Sequence, residues 1–159
     1  MTEPSTPSRS TLLATASSVV AGYNAWSIPA ILAPRSSTCT QEILPHSLRI
    51  PSMNNDEYAT YFAPNIPIFR NFAVKTHETM VDEEARKVVM LASSTAETDI
   101  GPYNNEYVVV IEMGRDGRQA EKVIEWVDSG YVVKFFGKLS QATDAKNQRA
   151  ESNEGEQKL

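Results

Sequence analysis

A segment near the C-terminal end carries the residues best suited to acid/base chemistry. Within Lys122–Tyr131, Ile124, Trp126 and Asp128 occupy alternate positions, so in a strand they share one face. An apolar setting beside a tryptophan raises the pKa of a carboxyl, which can then act as acid or base near neutral pH. We predict that Asp128 and Trp126 lie on the wall of an apolar pocket. The alternative is a structural aspartate that hydrogen-bonds a backbone amide.

A second carboxylate, Glu106, begins the preceding strand-like segment. Counting back across the hairpin loop pairs position 107 with about position 128, so Glu106 falls near Asp128. Two neighbouring carboxylates of low solvent access do not ionise together easily, so one can serve as acid and the other as base. The alternative is a solvated strand edge, because Glu112 has the same alternation and looks exposed.

Other polar residues are weaker candidates for the same site. Glu57 follows Asn54 by three positions, the spacing of a helix capping box, although its helix could also border the pocket and make Glu57 catalytic. His46 and Arg49 could bind a substrate carboxylate or ester oxygen at the pocket entrance, or lie in a surface loop. Ser94 lies inside a strand, where its hydroxyl could hydrogen-bond a substrate carbonyl.

The elements that must position these residues begin with helices. Apolar residues at helical spacing predict a helix over Ser10–Trp26 with Ser10 as its cap, and a short helix over Ile28–Ala33 that Pro34 ends. A strand is predicted over Thr38–Leu44, and a third helix begins at Asn54 or Asn55 and runs to Phe62.

The second half of the chain is predicted to be an antiparallel meander. Its four strands are Asn71–Met80, Lys87–Thr98, Tyr107–Met113 and Val123–Phe136, with 99–105 as a loop that could close over the pocket. Helices followed by a meander predict an α+β fold, with a curved sheet wrapped around the helices into a cone. We place one domain at 10–139, a flexible arm at 1–9 and a disordered tail or weak helix at 140–159.

Composition excludes several classes of function. The chain has 159 residues and a net charge of −5 with no basic stripe, so nucleic acid is not an expected partner. A single cysteine and two histidines make a metal site unexpected. No apolar run is long enough for a membrane span or a signal peptide, so we expect a cytoplasmic protein with no membrane partner.

Several segments together resemble a known family. The opening YNAWSIPAILAP (23–34) is similar to nuclear transport factor 2-like proteins, which include ketosteroid isomerase and SnoaL-type cyclases, and KVIEWVDSGY (122–131) resembles the strand of limonene epoxide hydrolase that holds its catalytic aspartate. The closer resemblance is to isomerases and ring-rearranging cyclases of fungal meroterpenoid pathways. The segments that carry it are CTQEILP (39–45), MNNDEY (53–58), FRNFAV (69–74), VDEEARKVV (81–89), SSTAETDIGPYNNEY (93–107) and EWVDS (125–129).

The resemblance implies a homodimeric cone that works without a cofactor and rearranges a lactone or ester ring of a terpenoid-polyketide substrate. Within the similar segments we expect Tyr23, Trp26, Gln41 and Met53 to contact that substrate. Excess Val, Tyr and Ile on the outward faces of the last strands also favours a dimer through the sheet. The alternatives are a hydrolase or dehydratase on the same scaffold, or a non-catalytic module that binds a hydrophobic ligand.

Overall fold

Two helices open the fold. The computed structural model describes the backbone of residues 6–156 and the side chains of residues 6–152. Helix α1 spans Arg9–Asn24, and its cap is Ser8, whose hydroxyl accepts from the Thr11 amide, rather than the predicted Ser10. Helix α2 spans Ile28–Leu32, with Pro29 in its first turn as predicted. Most of the predicted arm, residues 1–5, lies outside the described residues.

Five strands form one sheet, in the order β1-β5-β4-β3-β2. Their bounds are β1 Arg35–Leu44, β2 Arg70–Asp82, β3 Lys87–Thr98, β4 Gly101–Met113 and β5 Ala120–Val127. Strands β2 to β5 are the predicted antiparallel meander, whereas β1 pairs with β5 in parallel. The predicted α+β class is confirmed, but the sheet is mixed rather than purely antiparallel.

Between β1 and β2 the chain forms a short helix flanked by turns. Helix α3 spans Asn55–Phe62, and single 3-10 turns cover His46–Leu48 and Ala63–Asn65. The predicted capping box is present: the Asn54 side chain accepts from the Glu57 amide at 2.9 Å, and the Glu57 carboxylate accepts from the Asn54 amide at 2.8 Å. These two bonds fix the start of α3.

The predicted loop at 99–105 is wrong. Strand β4 starts at Gly101, so only a tight turn separates it from β3. Strand β5 pairs with β4 only from Tyr107 onward, so the first half of β4 is a sheet edge. Pro102 is tolerated at this edge because no strand on that side needs the backbone N–H that proline lacks. Residues 99–105 therefore do not form a loop that could close over the pocket.

The predicted last strand is also wrong beyond Val127. Residues Ser129–Glu156 form a long helix, α4, which includes most of the segment predicted as a disordered tail or weak helix. Asp128 caps α4, because its carboxylate accepts from the Tyr131 amide at 3.1 Å. Nearly all side chains at 140–152 are exposed, and residues 157–159 lie outside the described part of the chain.

The facing of β5 reverses the prediction. Val123 is fully buried in the main core with Leu12 and Ala16 of α1, and Glu125, two positions on, lines the pocket, so β5 turns these two residues inward. Trp126 is 48% exposed on the outer face of the sheet. Apolar residues occur on both faces of β5, and for that reason they could not indicate which face is the inner one.

Candidate active site

The inner face of the sheet, α1, α3 and α4 enclose one apolar pocket. Its empty space, including the part open to solvent, is about 720 Å³. The lining residues are mostly aromatic or aliphatic: Val19, Val20, Tyr23, Trp26, Phe62, Asn65, Phe69, Phe72, Val74, Met90, Ala92, Tyr103, Tyr107, Val109, Glu125 and Phe136. Among the described residues, Glu125 is the only charged side chain on this wall.

Glu125 lies on the inner face of β5, directly opposite Val109 on β4. Its Oε1 accepts a hydrogen bond from the Tyr23 hydroxyl at 3.0 Å. Burial raises the pKa of Glu125, and the Tyr23 hydrogen bond and the charge of Arg35 offset part of that rise. An inward carboxyl with a raised pKa in an apolar pocket is suited to acid/base catalysis.

A buried polar network lies behind Glu125. The Tyr23 and Tyr58 hydroxyls are 2.7 Å apart, and Nη2 of Arg35 donates to the Tyr23 oxygen at 3.2 Å and to Oε1 of Gln41 at 2.6 Å. The Arg35 guanidinium also lies 4.6 Å from the centre of the Tyr58 ring, and Arg35 is only 5% exposed. The network fixes the Tyr23 hydroxyl between a cation and a carboxylate.

A second polar cluster lies on β3 and β4, on the floor of the pocket. The Tyr107 hydroxyl is 2.8 Å from the Ser94 hydroxyl and 3.3 Å from the Tyr103 hydroxyl. Nδ2 of Asn105 donates to the Tyr103 oxygen at 2.9 Å. Tyr103 and Tyr107 line the pocket, whereas Ser94 and Asn105 are buried behind them.

Aromatic rings form the remaining walls. Trp26 stacks on Phe72 with ring centres 3.9 Å apart and meets Phe62 and Phe69 edge to face. The Trp26 ring is held in place because its Nε1 donates to the Ile66 carbonyl at 3.0 Å. These flat rings suit a bulky alicyclic ligand, and they offer it few polar contacts.

The carboxylates predicted to be catalytic lie outside this pocket. Asp128 and Glu106 are neighbours as predicted, since the Asp128 amide donates to the Glu106 carbonyl at 3.1 Å, but both side chains lie along a shallow groove on the outer face with Trp126. Glu57 is exposed and bound in its capping box. The predicted pocket position is wrong for Asp128, Glu106 and Trp126, because β5 presents Glu125 to the pocket and β4 presents Tyr107.

The predicted substrate-binding residues divide into three groups. Tyr23 and Trp26 line the pocket. Gln41 and Ser94 are buried one layer behind it, bound to Arg35 and Tyr107 respectively. Met53 packs in a separate cluster with Ile31 and Tyr58, while His46 and Arg49 are exposed in and beside a 3-10 turn.

Sequence reasoning missed the residues with the most chemistry. Glu125, Arg35, Tyr58, Tyr103 and Tyr107 were not predicted as site residues. Glu125 alternates with Val123 and so faces inward once Val123 is known to lie in the core, but the alternation alone does not say which face of β5 is buried. Arg35 gave no signal either, because a single arginine after Pro34 looks like a solvated strand end.

Two further findings concern what the described residues do not form. Among residues 6–156, no helix is both long and apolar enough to cross a bilayer. In the same part of the chain, no three side chains of His, Cys, Asp or Glu cluster as a metal site requires.

Comparison with known proteins places this geometry in a family. No family model matches the chain. Austinoid biosynthesis cluster protein J of Aspergillus calidoustus is 37% identical over 127 residues, which cover 78% of this chain and 77% of that protein. The crystal structure of BvnE pinacolase from Penicillium brevicompactum is 33% identical with a TM-score of 0.82, covering 85% of this chain and 98% of that one.

A more distant structure identifies the fold. An NTF2-like protein of unknown function from Burkholderia pseudomallei superposes with a TM-score of 0.65 at 11% identity, over 78% of this chain and 95% of that one. The predicted cone of the nuclear transport factor 2-like type is thereby confirmed. The fold and the relatives both agree with the resemblance that the sequence segments indicated. The chain therefore belongs to the SnoaL-like family of fungal meroterpenoid isomerases and cyclases.

Proposed function

We propose that this protein is an enzyme that rearranges a ring of a meroterpenoid, without a cofactor, by acid/base catalysis through Glu125. One observation carries the proposal: among the described residues, the apolar pocket has a single carboxyl on its wall, and burial raises the pKa of that carboxyl. A carboxyl whose pKa is raised stays protonated at pH values closer to neutral, and once ionised it is a stronger base.

The surrounding residues support both protonation states of Glu125. When Glu125 is ionised, the Tyr23 hydroxyl donates to it at 3.0 Å, and the Tyr23 oxygen accepts from Arg35. When Glu125 is protonated, its own hydrogen is available to a substrate oxygen in the pocket. The residue can therefore protonate a ring oxygen and remove a proton from a neighbouring carbon, the two transfers that an isomerisation needs.

The names of two relatives support the proposed class of substrate and of reaction. One is named for the biosynthesis of austinoids and another is a pinacolase. A pinacol-type rearrangement protonates one hydroxyl of a 1,2-diol, expels it as water, shifts a neighbouring carbon and ends when the other hydroxyl loses its proton. We propose that Glu125 makes the same two proton transfers here without loss of water, giving a proton to an oxygen of the lactone or ester ring of a terpenoid-polyketide and taking one back from a neighbouring carbon.

A hydrolase or dehydratase on the same scaffold and a non-catalytic carrier are the alternatives. A carrier of hydrophobic ligands gains nothing from an ionisable carboxyl on its pocket wall, because burying that group costs free energy. Arg35, buried with only part of its guanidinium hydrogen-bonded among the described residues, adds to that cost. The polar network therefore favours an enzyme.

The test is the Glu125→Gln variant, assayed on extracts of a producing strain from which this gene has been removed. Mass spectrometry follows the conversion of the accumulated compound. We expect the rate to fall by roughly 10²–10⁴-fold, the usual contribution of a positioned acid or base. Glu121→Gln, an exposed change on the same strand, is the matched control. Turnover of Glu125→Gln within a few-fold of the wild type would contradict the role of Glu125.

A further inference from the structure

We propose that Tyr103 and Tyr107 form a hydrogen-bond donor site for a carbonyl oxygen of the substrate, on the floor of the pocket. The inference rests on the proposed function only for the kind of ligand, a carbonyl-bearing alicyclic skeleton. The site itself follows from a count of hydrogens in the cluster of Ser94, Tyr103, Asn105 and Tyr107, none of which the acid/base step uses.

The cluster contains one more hydroxyl hydrogen than it can use. Ser94, Tyr103 and Tyr107 each carry one, but only two oxygen-to-oxygen bonds join them, at 2.8 and 3.3 Å. The third bond of the cluster takes its hydrogen from the Asn105 amide. One hydroxyl hydrogen is therefore left without an acceptor among the described residues.

Burial decides which residue holds the surplus hydrogen. Ser94 is 1% exposed, and its hydroxyl has no other partner among the described residues, so it donates to Tyr107 rather than leave a buried donor unpaired. Asn105, 3% exposed, in turn fixes the Tyr103 oxygen as an acceptor. The surplus hydrogen thus belongs to Tyr103 or Tyr107, the two members that line the pocket.

The surplus hydrogen makes the floor a donor. Burial, followed by the neighbouring Tyr103, raises the pKa of the Tyr107 hydroxyl, so Tyr107 remains a neutral phenol that can donate. The surplus phenol hydrogen lacks a hydrogen-bond acceptor, and a ketone or ester carbonyl oxygen of a ligand can be that acceptor. An apolar ligand of the same shape would leave the phenol hydrogen unpaired, so the cluster discriminates by chemistry as well as by size.

The donor site and the acid/base residue lie on the same face of the sheet. Glu125 pairs with Val109, and Tyr107 is two residues further along β4 on the same inward face. Diagonal neighbours of this kind have Cα atoms about 7–8 Å apart. A single fused-ring skeleton can therefore place its carbonyl on the phenols while an adjacent ring carbon or oxygen faces Glu125.

The test uses trans-1-decalone, labelled with ¹³C at its carbonyl, and trans-decalin as the matched hydrocarbon. We expect the bound ketone to show a lowered carbonyl stretching frequency in the infrared spectrum of the wild-type complex. The double variant Tyr103→Phe/Tyr107→Phe keeps both rings and removes both phenol hydrogens. We expect this double variant to show no frequency shift and to bind the ketone about tenfold more weakly than the wild type. Its affinity for decalin should equal that of the wild type.

The controls separate this inference from the proposed function. Ser94→Ala still leaves one phenol hydrogen free and should keep the shift, as should Tyr131→Phe, whose hydroxyl lies outside the pocket. Glu125→Gln should keep the shift while losing turnover. If the double variant keeps the shift and the affinity, or the wild type fails to bind the ketone at millimolar concentration, the donor site is refuted. The turnover of Glu125→Gln tests the proposed function alone, and neither result for it changes the conclusion about the donor site.

Discussion

The Tyr23 hydroxyl lies 3.0 Å from Oε1 of Glu125 and donates to it, although the two residues are 102 positions apart. This contact joins α1 to β5 across the end of the pocket. It also couples the ionisation of the carboxyl to a phenol that Arg35 and Tyr58 hold in place.

Tyr23→Phe should raise the pKa of Glu125 further, because the variant removes a hydrogen bond that favours the carboxylate. The limb of the pH–rate profile that reports Glu125 should move to higher pH. Carbon NMR of labelled glutamate carboxyls gives the same quantity without a substrate. Tyr131→Phe, which removes a hydroxyl that bonds backbone groups outside the pocket, is the control. An unmoved titration in Tyr23→Phe would show that Tyr23 does not set the ionisation of Glu125.

Glu125→Gln should increase thermal stability relative to the wild type, and increasingly so as the pH rises. Because the folded protein raises the pKa of Glu125 above its ordinary value of 4.5, the wild type binds the proton more tightly when folded. The contribution of Glu125 to the stability of the wild type is fully present below pH 4.5, its ordinary pKa, and is lost as the pH rises through the folded-state pKa. Melting curves from pH 4 upward test this, with Glu121→Gln as reference. A constant difference between variant and wild type would contradict it.

Asp128→Ala should destabilise the protein by about 1 kcal/mol, the usual cost of losing a helix N-cap. Asp128→Asn should be nearly neutral, because asparagine accepts the same hydrogen bond from the Tyr131 amide. Both variants should retain turnover, as Asp128 lies outside the pocket. Urea unfolding and the extract assay measure the two effects. A loss of 10²-fold or more in Asp128→Asn would restore the catalytic role predicted from the sequence.

A homodimer through the outer face of the sheet is the fourth prediction. Trp126 and Met80 are 48% and 47% exposed on strands β5 and β2, and Leu91 and Val108 lie in the groove beside Trp126. Light scattering should give about twice the chain mass of 17.6 kDa. Trp126→Asp should shift the mass to that of one chain, whereas Val133→Asp, at an exposed apolar position on α4, should not. A wild-type monomer at micromolar concentration would refute the prediction.

Local signals in the sequence predicted much of the fold. Strand β3 has the predicted bounds Lys87–Thr98, and the Asn54 and Glu57 capping box is present. The β4–β5 register differs by one residue from the predicted one, since Tyr107 pairs with Val127. These features depend on alternation, capping and hairpin length, all of which are read within a short stretch of chain.

The site was harder to predict because it depends on distant parts of the chain. The inner face of β5 is set by α1, through the packing of Val123 against Leu12, and no local pattern in 122–131 reports that contact. The start of α4 was missed because Asp128 was interpreted as a functional residue, although an aspartate ahead of Ser129 and Gly130 also fits a helix cap. Buried polar pairs such as Arg35 and Gln41 become visible only once β1 lies beside β5.

The parallel pairing of β1 with β5 has a consequence for synthesis on the ribosome. The first strand of the sheet stays without its neighbour until residues 120–127 have emerged. Contacts between such distant segments close slowly, because a long loop must lose its freedom first. Tyr23, Arg35 and Gln41 are made early, yet they join Glu125 only after β5 has emerged. The nascent chain must therefore be kept from aggregating with an unpaired β1, and a truncated product that ends before β5 cannot assemble the pocket.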